Sequence, residues 1–223
     1  MIEDKPRFEG LRPYLCLEAP DVQDKGLTLY LYTNPFMKGN MATAKTGSFY
    51  LTETVTIPGL TGAGQRRMGT IDLGAYVNVA TGQAVAVESV DFIIQQGDTY
   101  SQRLAGFLAG DGSISMQLTD LNTGNNFVRA DNHSLIASGA LNVDDSANLG
   151  TETVDFYPDN FGPAALSEAY MVVNDSLYLT VGIDGNAVQT DALHITVRIK
   201  ARIVKLSNKD FVAIAIQSTA SDN

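Results

Sequence analysis

The chain has 223 residues, of which 44% are hydrophobic and 18% charged, a balance that belongs to a folded globular protein and excludes a disordered one. Its single cysteine, Cys16, excludes an internal disulfide framework and a cysteine-clustered zinc site, and no apolar run reaches the roughly 18 residues a membrane-spanning helix needs. The net charge of −10 divides into +1 over residues 1–67, −14 over 68–197 and +3 over 198–223, and so acidic a middle opposes general binding to nucleic acid or anionic membrane.

In chain order, residues 1–26 hold three prolines and no periodicity and read as an extended N-terminal arm. The start is charged and lacks the apolar region of an export signal, so synthesis in the cytoplasm is expected. From Leu27 to Tyr32, leucines alternate with Thr28, Tyr30 and Tyr32. Residues 48–57 place Phe49, Leu51, Val55 and Ile57 opposite Tyr50, Thr52, Thr54 and Thr56. Successive side chains of a strand point to opposite faces, so both runs read as half-buried antiparallel strands. Glu53 stands in the apolar parity of its strand, where it guards a sheet edge or lies near the open end of a sandwich, a buried catalytic carboxylate being the less favoured reading. Residues 84–95 change phase: Val85 and Val87 take one parity, Val90, Phe92 and Ile94 the other. A β-bulge near Glu88–Ser89 puts both sets on one face. Further alternating runs follow at 113–119, 176–181 and 193–206, the last with a similar shift at Ile203, Val204 and Leu206.

Turn signals rich in Gly, Pro, Asn and Asp separate these runs. Longer excursions are expected at 34–47, 58–68 and 144–168, with a short helical turn around 164–168. Residues 207–223 read as a C-terminal hairpin strand or a short helix. Ser207 with Asp210 fits a helix start, while the β-branched residues of the alternating Val212, Ile214 and Ile216 favour the strand. No linker, repeat or low-complexity tract divides the chain, so residues 1–223 are expected to form a single domain. The expected fold class is all-β: an antiparallel β-sandwich of jelly-roll type with short helical turns in loops.

Catalytic signals are weak. No Gly-x-Ser-x-Gly is present, and Ser113 in Gly-Asp-Gly-Ser has the wrong spacing. His194 falls on the polar face of a strand and His133 in the turn-like Asp131–Ser134. Cys16 reads as a small packed hydrophobe. The glycine-rich Gly59–Gly69 is neither a P-loop nor a dinucleotide fingerprint; it reads as a mobile surface loop or, through Arg66 and Arg67, an interaction loop. The acidic Asn142–Asp145 and Asp184–Asn186 lack EF-hand spacing and read as turns. Asn132 and Asn174 open glycosylation-type triplets of no weight without an export signal. No catalytic residue, metal site or cofactor is expected, and the protein is read as a non-enzyme. The exception to the acidic trend is the ladder Arg198, Lys200, Arg202, Lys205 and Lys209. It is a solvated strand face paired with acids on the next strand, or a surface that meets a phosphate-bearing partner or an acidic sister subunit.

Taken together, the strand runs 27–32, 48–57, 84–95, 113–119, 176–181 and 193–206 resemble, at the level of pattern, the single jelly-roll capsid proteins of tailless icosahedral viruses. That resemblance implies a structural shell subunit that self-assembles into symmetric homo-oligomers, with other capsid proteins as further partners and the virion as its location. It implies that the arm lies on a neighbouring subunit and that the basic strand is an inner or inter-subunit surface, a possible contact for nucleic acid or an internal membrane. The alternative is a non-catalytic β-sandwich binding module, adhesin-like or carbohydrate-binding, using Tyr30, Tyr32, Tyr50 and Tyr178; the absence of tryptophan weighs against it.

Overall fold

The computed structural model describes residues 42–98, 106–147, 149–154 and 169–219. Within them run β1 (Thr43–Ala44), β2 (Phe49–Ile57), β3 (Arg66–Asp72), β4 (Gln83–Gln96), β5 (Gly112–Thr119) and β6 (Leu135–Asp144). β7 (Leu149–Val154), β8 (Tyr170–Val172), β9 (Ser176–Asp184), β10 (Leu193–Lys205) and the helix α1 (Asn208–Thr219) complete the order. The expected arm 1–26, the strand 27–32 and the helical turn 164–168 lie outside the described residues.

The strands form two antiparallel sheets. In the first, β10 is flanked by β4 on one side and by β2, continued by β1, on the other, and β8 pairs with β4. The second runs β3–β9–β5–β6–β7. The pairings are nested: β2 with β10, β3 with β9, β4 with β8, β5 with β6. Outermost and third pairs share one sheet, second and innermost the other. That is the order of a long hairpin wrapped into a double sheet, the jelly roll, with β1 and β7 as additions at its margins.

Alternation fixes which side chains enter the space between the sheets. β10 contributes Leu193, Ile195, Val197, Ile199 and Ala201, and β9 contributes Leu177, Leu179, Val181 and Ile183; all are fully buried. Ile114, Met116 and Leu118 of β5 lie beside the β9 residues on the same sheet and join the same core. Each buried aliphatic side chain contributes about 1.5–3 kcal/mol, which makes this layer the main source of stability. The expected bulge in β4 is present. Lys200 pairs with Ser89 and Ala201 with Val87, so Glu88 is the extra residue, and Val85, Val87 and Val90 all join the same core.

Three sequence expectations are corrected. The phase change at the end of β10 is not a second bulge. Val204 and Leu206 join Ala84, Ala86, Val173 and Phe211 in a separate cluster, on the outer face of the first sheet, where α1 covers it. Residues 208–219 are therefore helix, not strand. Phe211 and Ser218 are buried and Ile214 and Ala215 half-buried, a spacing of one helix face. The helix start is set by Ser207, whose Oγ accepts from the Asp210 N–H at 3.2 Å and donates to the Asp210 carboxylate at 2.7 Å. Finally, Gly59–Gly69 is not a loose loop. Leu60 N–H donates to Gln189 O (2.9 Å), Gly64 N–H to Ile183 O (2.7 Å) and Val188 N–H to Thr61 O (2.9 Å), and Arg66 already belongs to β3.

Leu179 lies at the centre of the second sheet with no exposure. Leu179→Ala is expected to lower the free energy of unfolding by about 2–5 kcal/mol, measured by urea denaturation, whereas the exposed Val79→Ala should change it by less than about 0.5 kcal/mol.

Candidate interaction surfaces

The basic ladder divides on folding. Arg198, Lys200 and Arg202 share the outer parity of β10 with His194 and Thr196. Arg198 Nη2 lies 3.1 Å from Asp91 Oδ2, its register partner on β4. Lys200 Nζ lies 3.4 Å from Glu88 Oε2, and Arg202 pairs with Glu88 Oε1. Ser48 donates to the same carboxylate at 2.9 Å. The bulge places Glu88 between the two cations, where it is 2% exposed. Burial pushes its carboxyl up, but the Ser48 hydroxyl, the Arg202 guanidinium and the Lys200 ammonium together outweigh burial and hold it below the ordinary glutamate range. Lys205, at the end of β10, and Lys209, in the first turn of α1, are exposed. Three of the five ladder cations are thus matched by acids of the neighbouring strand, and Lys205 and Lys209 are presented to the surroundings.

Arg66 and Arg67 are adjacent in sequence but point to opposite faces of β3. Arg66 lies over the outer face of the second sheet, across Gly182, where a Cβ would meet its side chain. Its guanidinium makes a bidentate pair with Asp184, both at 2.8 Å, and stacks on the Phe127 ring 4.7 Å from the centroid. That geometry fastens the β5–β6 connection, which Gln117 also holds through two hydrogen bonds to the Val128 backbone. Arg66 is a structural clamp. Arg67 is exposed and, with Glu53, Thr54 and Gln65, lines a polar cleft of about 510 Å³ at the side of the sandwich where edge strands β2 and β3 meet. Glu53 lies in this cleft because Gly69 opposite it has no side chain; a Cβ there would come within 2.9 Å of Glu53 Oε1. An inward-pointing charge at a sheet edge discourages edge-to-edge pairing with other chains.

Sequence reading missed a second cavity. It has a volume of about 520 Å³ and lies between the β5–β6 connection, β8 and the end of α1. Asp120, one residue past β5, lines it and is 2% exposed; its Oδ1 has no hydrogen-bond partner. Burial raises the Asp120 carboxyl to about 6, against smaller lowering effects from its own backbone N–H and the Tyr170 hydroxyl. Tyr170 Oη donates to His133 O at 2.7 Å. Burial, then the neighbouring Asp120 charge, push this phenol well above its ordinary range. Nothing in the run Thr119-Asp120-Leu121 distinguishes this aspartate from a turn residue, because its burial comes from β8 and α1, far away in sequence.

The other candidates occupy ordinary positions. His194 Nδ1 lies 2.9 Å from Thr56 Oγ1 on the outer face of the first sheet, and His133 is exposed. Ser113 is a β5 residue paired in register with Asp184. Asn174 donates to Asp120 O at 2.9 Å and Asn132 Oδ1 accepts from Ser134. The acidic stretches are strand ends leading into turns: Asn142–Asp144 close β6 and Asp184 closes β9, and Asp144 Oδ1 accepts from Ser146 Oγ and Ala147 N–H at 2.7 and 2.9 Å, which lowers its carboxyl. Tyr50 is 63% exposed on β2 and Tyr178 half-buried on β9; Cys16, Tyr30 and Tyr32 lie outside the described residues. Among those residues no group of three or more His, Cys, Asp and Glu gathers to hold a metal, and no helix is long and apolar enough to cross a membrane.

No family model and no curated protein matches the sequence. Among solved structures the chain is similar to one of Desmodium yellow mottle tymovirus, at 13% identity and a TM-score of 0.29, covering 93% of this chain and 98% of that one. It is also similar to a chain in the cryo-electron microscopy structure of Mud Crab Dicistrovirus, at 13% identity and a TM-score of 0.33, covering 92% of this chain and 94% of that one. At these values the ground for the fold is the strand order of the chain itself.

Two buried carboxylates give opposite pH responses. Glu88 is depressed when folded, so its contribution is present above its ordinary value of 4.5 and fades on acidification. Glu88→Gln is expected to cost about 3 kcal/mol at pH 7, with the gap to the parent narrowing as pH falls below 4.5. Asp120 is raised from 3.8 to about 6, so the parent loses stability as pH rises through that window. Asp120→Asn should therefore stabilise the fold at pH 7 by up to about 3 kcal/mol and make no difference below pH 4. Chemical denaturation across pH 3.5–7.5 checks both.

Proposed function

We propose that this protein is a structural, non-enzymatic subunit of a self-assembling shell, a viral capsid protein that forms symmetric homo-oligomers and resides in the virion. The link from jelly roll to shell is an analogy of architecture, since a fold hosts many functions. The observation that carries the reading is α1. Its inner face is used, but Val212 and Ile216, one turn apart on the other side, are 54% and 61% exposed. The stretch from Phe211 to Thr219 contains no charge. A helix that is apolar all round is ordinarily buried all round, and among the described residues only one side is covered.

The occupant we favour for the other side is a second copy. With a net charge of −10, two copies repel except where uncharged surface meets, and α1 supplies such a surface. Leu60 supports the same reading: its φ of 61° is unusual for a branched residue and it is 74% exposed on a pinned loop. Lys205 and Lys209, beside the helix start, are the cations available to the acidic body of a neighbour, and other capsid proteins are further partners. Because Arg198, Lys200 and Arg202 already hold carboxylates, nucleic acid or an internal membrane is a less favoured partner for this face.

The test is multi-angle light scattering after size exclusion, with negative-stain microscopy, on the full chain and on Val212→Ser with Ile216→Ser. We expect closed or symmetric multimers from the parent and folded monomers from the double variant. A parent that stays monomeric from micromolar to millimolar concentration at low and high salt overturns the proposal.

A further inference from the structure

We propose that the β5–β6 connection, residues 120–134, is a proton-operated strap: it is closed over the outer face of the second sheet while the Asp120 carboxyl is neutral, and released once that carboxyl ionises. Residues 121–134 form neither helix nor strand, and of them only Ser134 is buried. A segment with so little buried surface opens by itself, without unfolding of the sheets beneath it. The strap does not depend on whether the chain assembles.

The contacts that close it are few and polar. Gln117, on the outer face of β5, donates from Nε2 to Val128 O at 2.9 Å and accepts the Val128 N–H at 2.8 Å. Arg66 stacks on the Phe127 ring. At the other end Tyr170 Oη donates to His133 O at 2.7 Å, and the Asp120 N–H donates to Ser134 O at 3.0 Å, which joins the two ends of the strap. Closure leaves two polar groups unanswered among the described residues. Thr180, the register partner of Gln117 on β9, is fully buried and its Oγ1 has no hydrogen-bond partner. Asp120 is 2% exposed and its Oδ1 has none either. Buried polar groups in that condition favour an opening that lets water reach them.

The proton acts through Tyr170. A phenol has one hydrogen to donate. While Asp120 is neutral, its carboxyl carries a hydrogen of its own, and the phenol is left to His133 O, tying the strap to β8. Once Asp120 ionises, its carboxylate competes for the phenol hydrogen, and the tether and the buried charge cannot both be served. No lysine or arginine lines the cavity beside it. The other titratable side chains there are Tyr170 of β8 and Asp131 and His133 of the strap, while α1 contributes Ile214, Gln217 and Ser218, and Asn174 meets only the Asp120 backbone. Burial raises the carboxyl from 3.8 to about 6, so the closed strap holds the proton more tightly than the open one. Opening therefore grows as pH rises between these values and levels off above them.

The test is native-state hydrogen exchange of the ¹⁵N-labelled full chain between pH 4.5 and 7, corrected for the intrinsic pH dependence of exchange and repeated in dilute urea. The Val128 amide reports the strap, and the Leu179 amide of β9, a strand paired on both sides, reports the sheets. We expect Val128 to be less protected than Leu179 and nearly insensitive to urea. Its opening constant should rise about tenfold or more from pH 4.5 to 7, most of it below about pH 6.5. Asp120→Asn should flatten that profile and keep Val128 at its low-pH protection, whereas Asp131→Asn with His133→Gln should leave the rise in place. Should Asp120→Asn fail to fold, the parent and the double variant decide. The proposal is overturned by a Val128 profile independent of pH, or one that merges with Leu179 in protection and urea dependence. A rise that persists in Asp120→Asn, or disappears in the double variant, overturns it as well.

Discussion

The pairing of β10 with β4 is the constraint on which the rest of the structure depends. It runs the full length of both strands, and β10 carries β2 and β1 on its other side. One sheet therefore has to satisfy two demands at once: aliphatic side chains toward the second sheet, and a polar outer face that turns apolar where α1 lies. A period of two meets the first demand only while register holds. The single extra residue at Glu88 restores it by bringing Val85 and Val87 into the same layer as Val90.

The bulge also organises charge. A residue expelled from the ladder would ordinarily be solvated, but Glu88 sits between Lys200 and Arg202 and under Ser48. Register correction and neutralisation of the basic strand are thus one event. Arg66 works comparably on the other sheet, where its clamp on Asp184 and Phe127 ties the β5–β6 connection down. Both arginines are held by partners from distant sequence, so their availability to an outside ligand is decided by the fold and not by local composition.

At the far end of the same connection the balance differs. Asp120 is covered by β8 and α1 as Glu88 is covered by its neighbours, yet no cation accompanies it. Two carboxylates of 2% exposure are therefore shifted in opposite directions: at Glu88 the Ser48 hydroxyl and two basic side chains outweigh burial, and at Asp120 burial prevails. The outer side of α1 differs in a parallel way: its inner face completes the second core, while Val212 and Ile216 are left exposed among the described residues.

The sequence by itself determined the layer structure. Alternation in 48–57, 84–95, 113–119, 176–181 and 193–206 fixed the inward faces, and the phase change in β4 located the bulge, because a period of two and its interruption are local properties of the chain. Strands β3, β6, β7 and β8 were not legible: Arg66–Asp72 begins with two arginines beside glycines, and β8 is three residues long. The segment of α1 offered both periods, Val212, Ile214 and Ile216 alternating as a strand and Phe211, Ile214 and Ala215 sharing a helix face, and the apolar patch of Ala84, Ala86 and Val204 that the helix covers selects the helix. The same holds for charge. Five basic residues were visible as a ladder, but Glu88 and Asp91 as their counterions, and Asp120 as a carboxylate without one, arise from register and burial, and those exist only once distant segments meet.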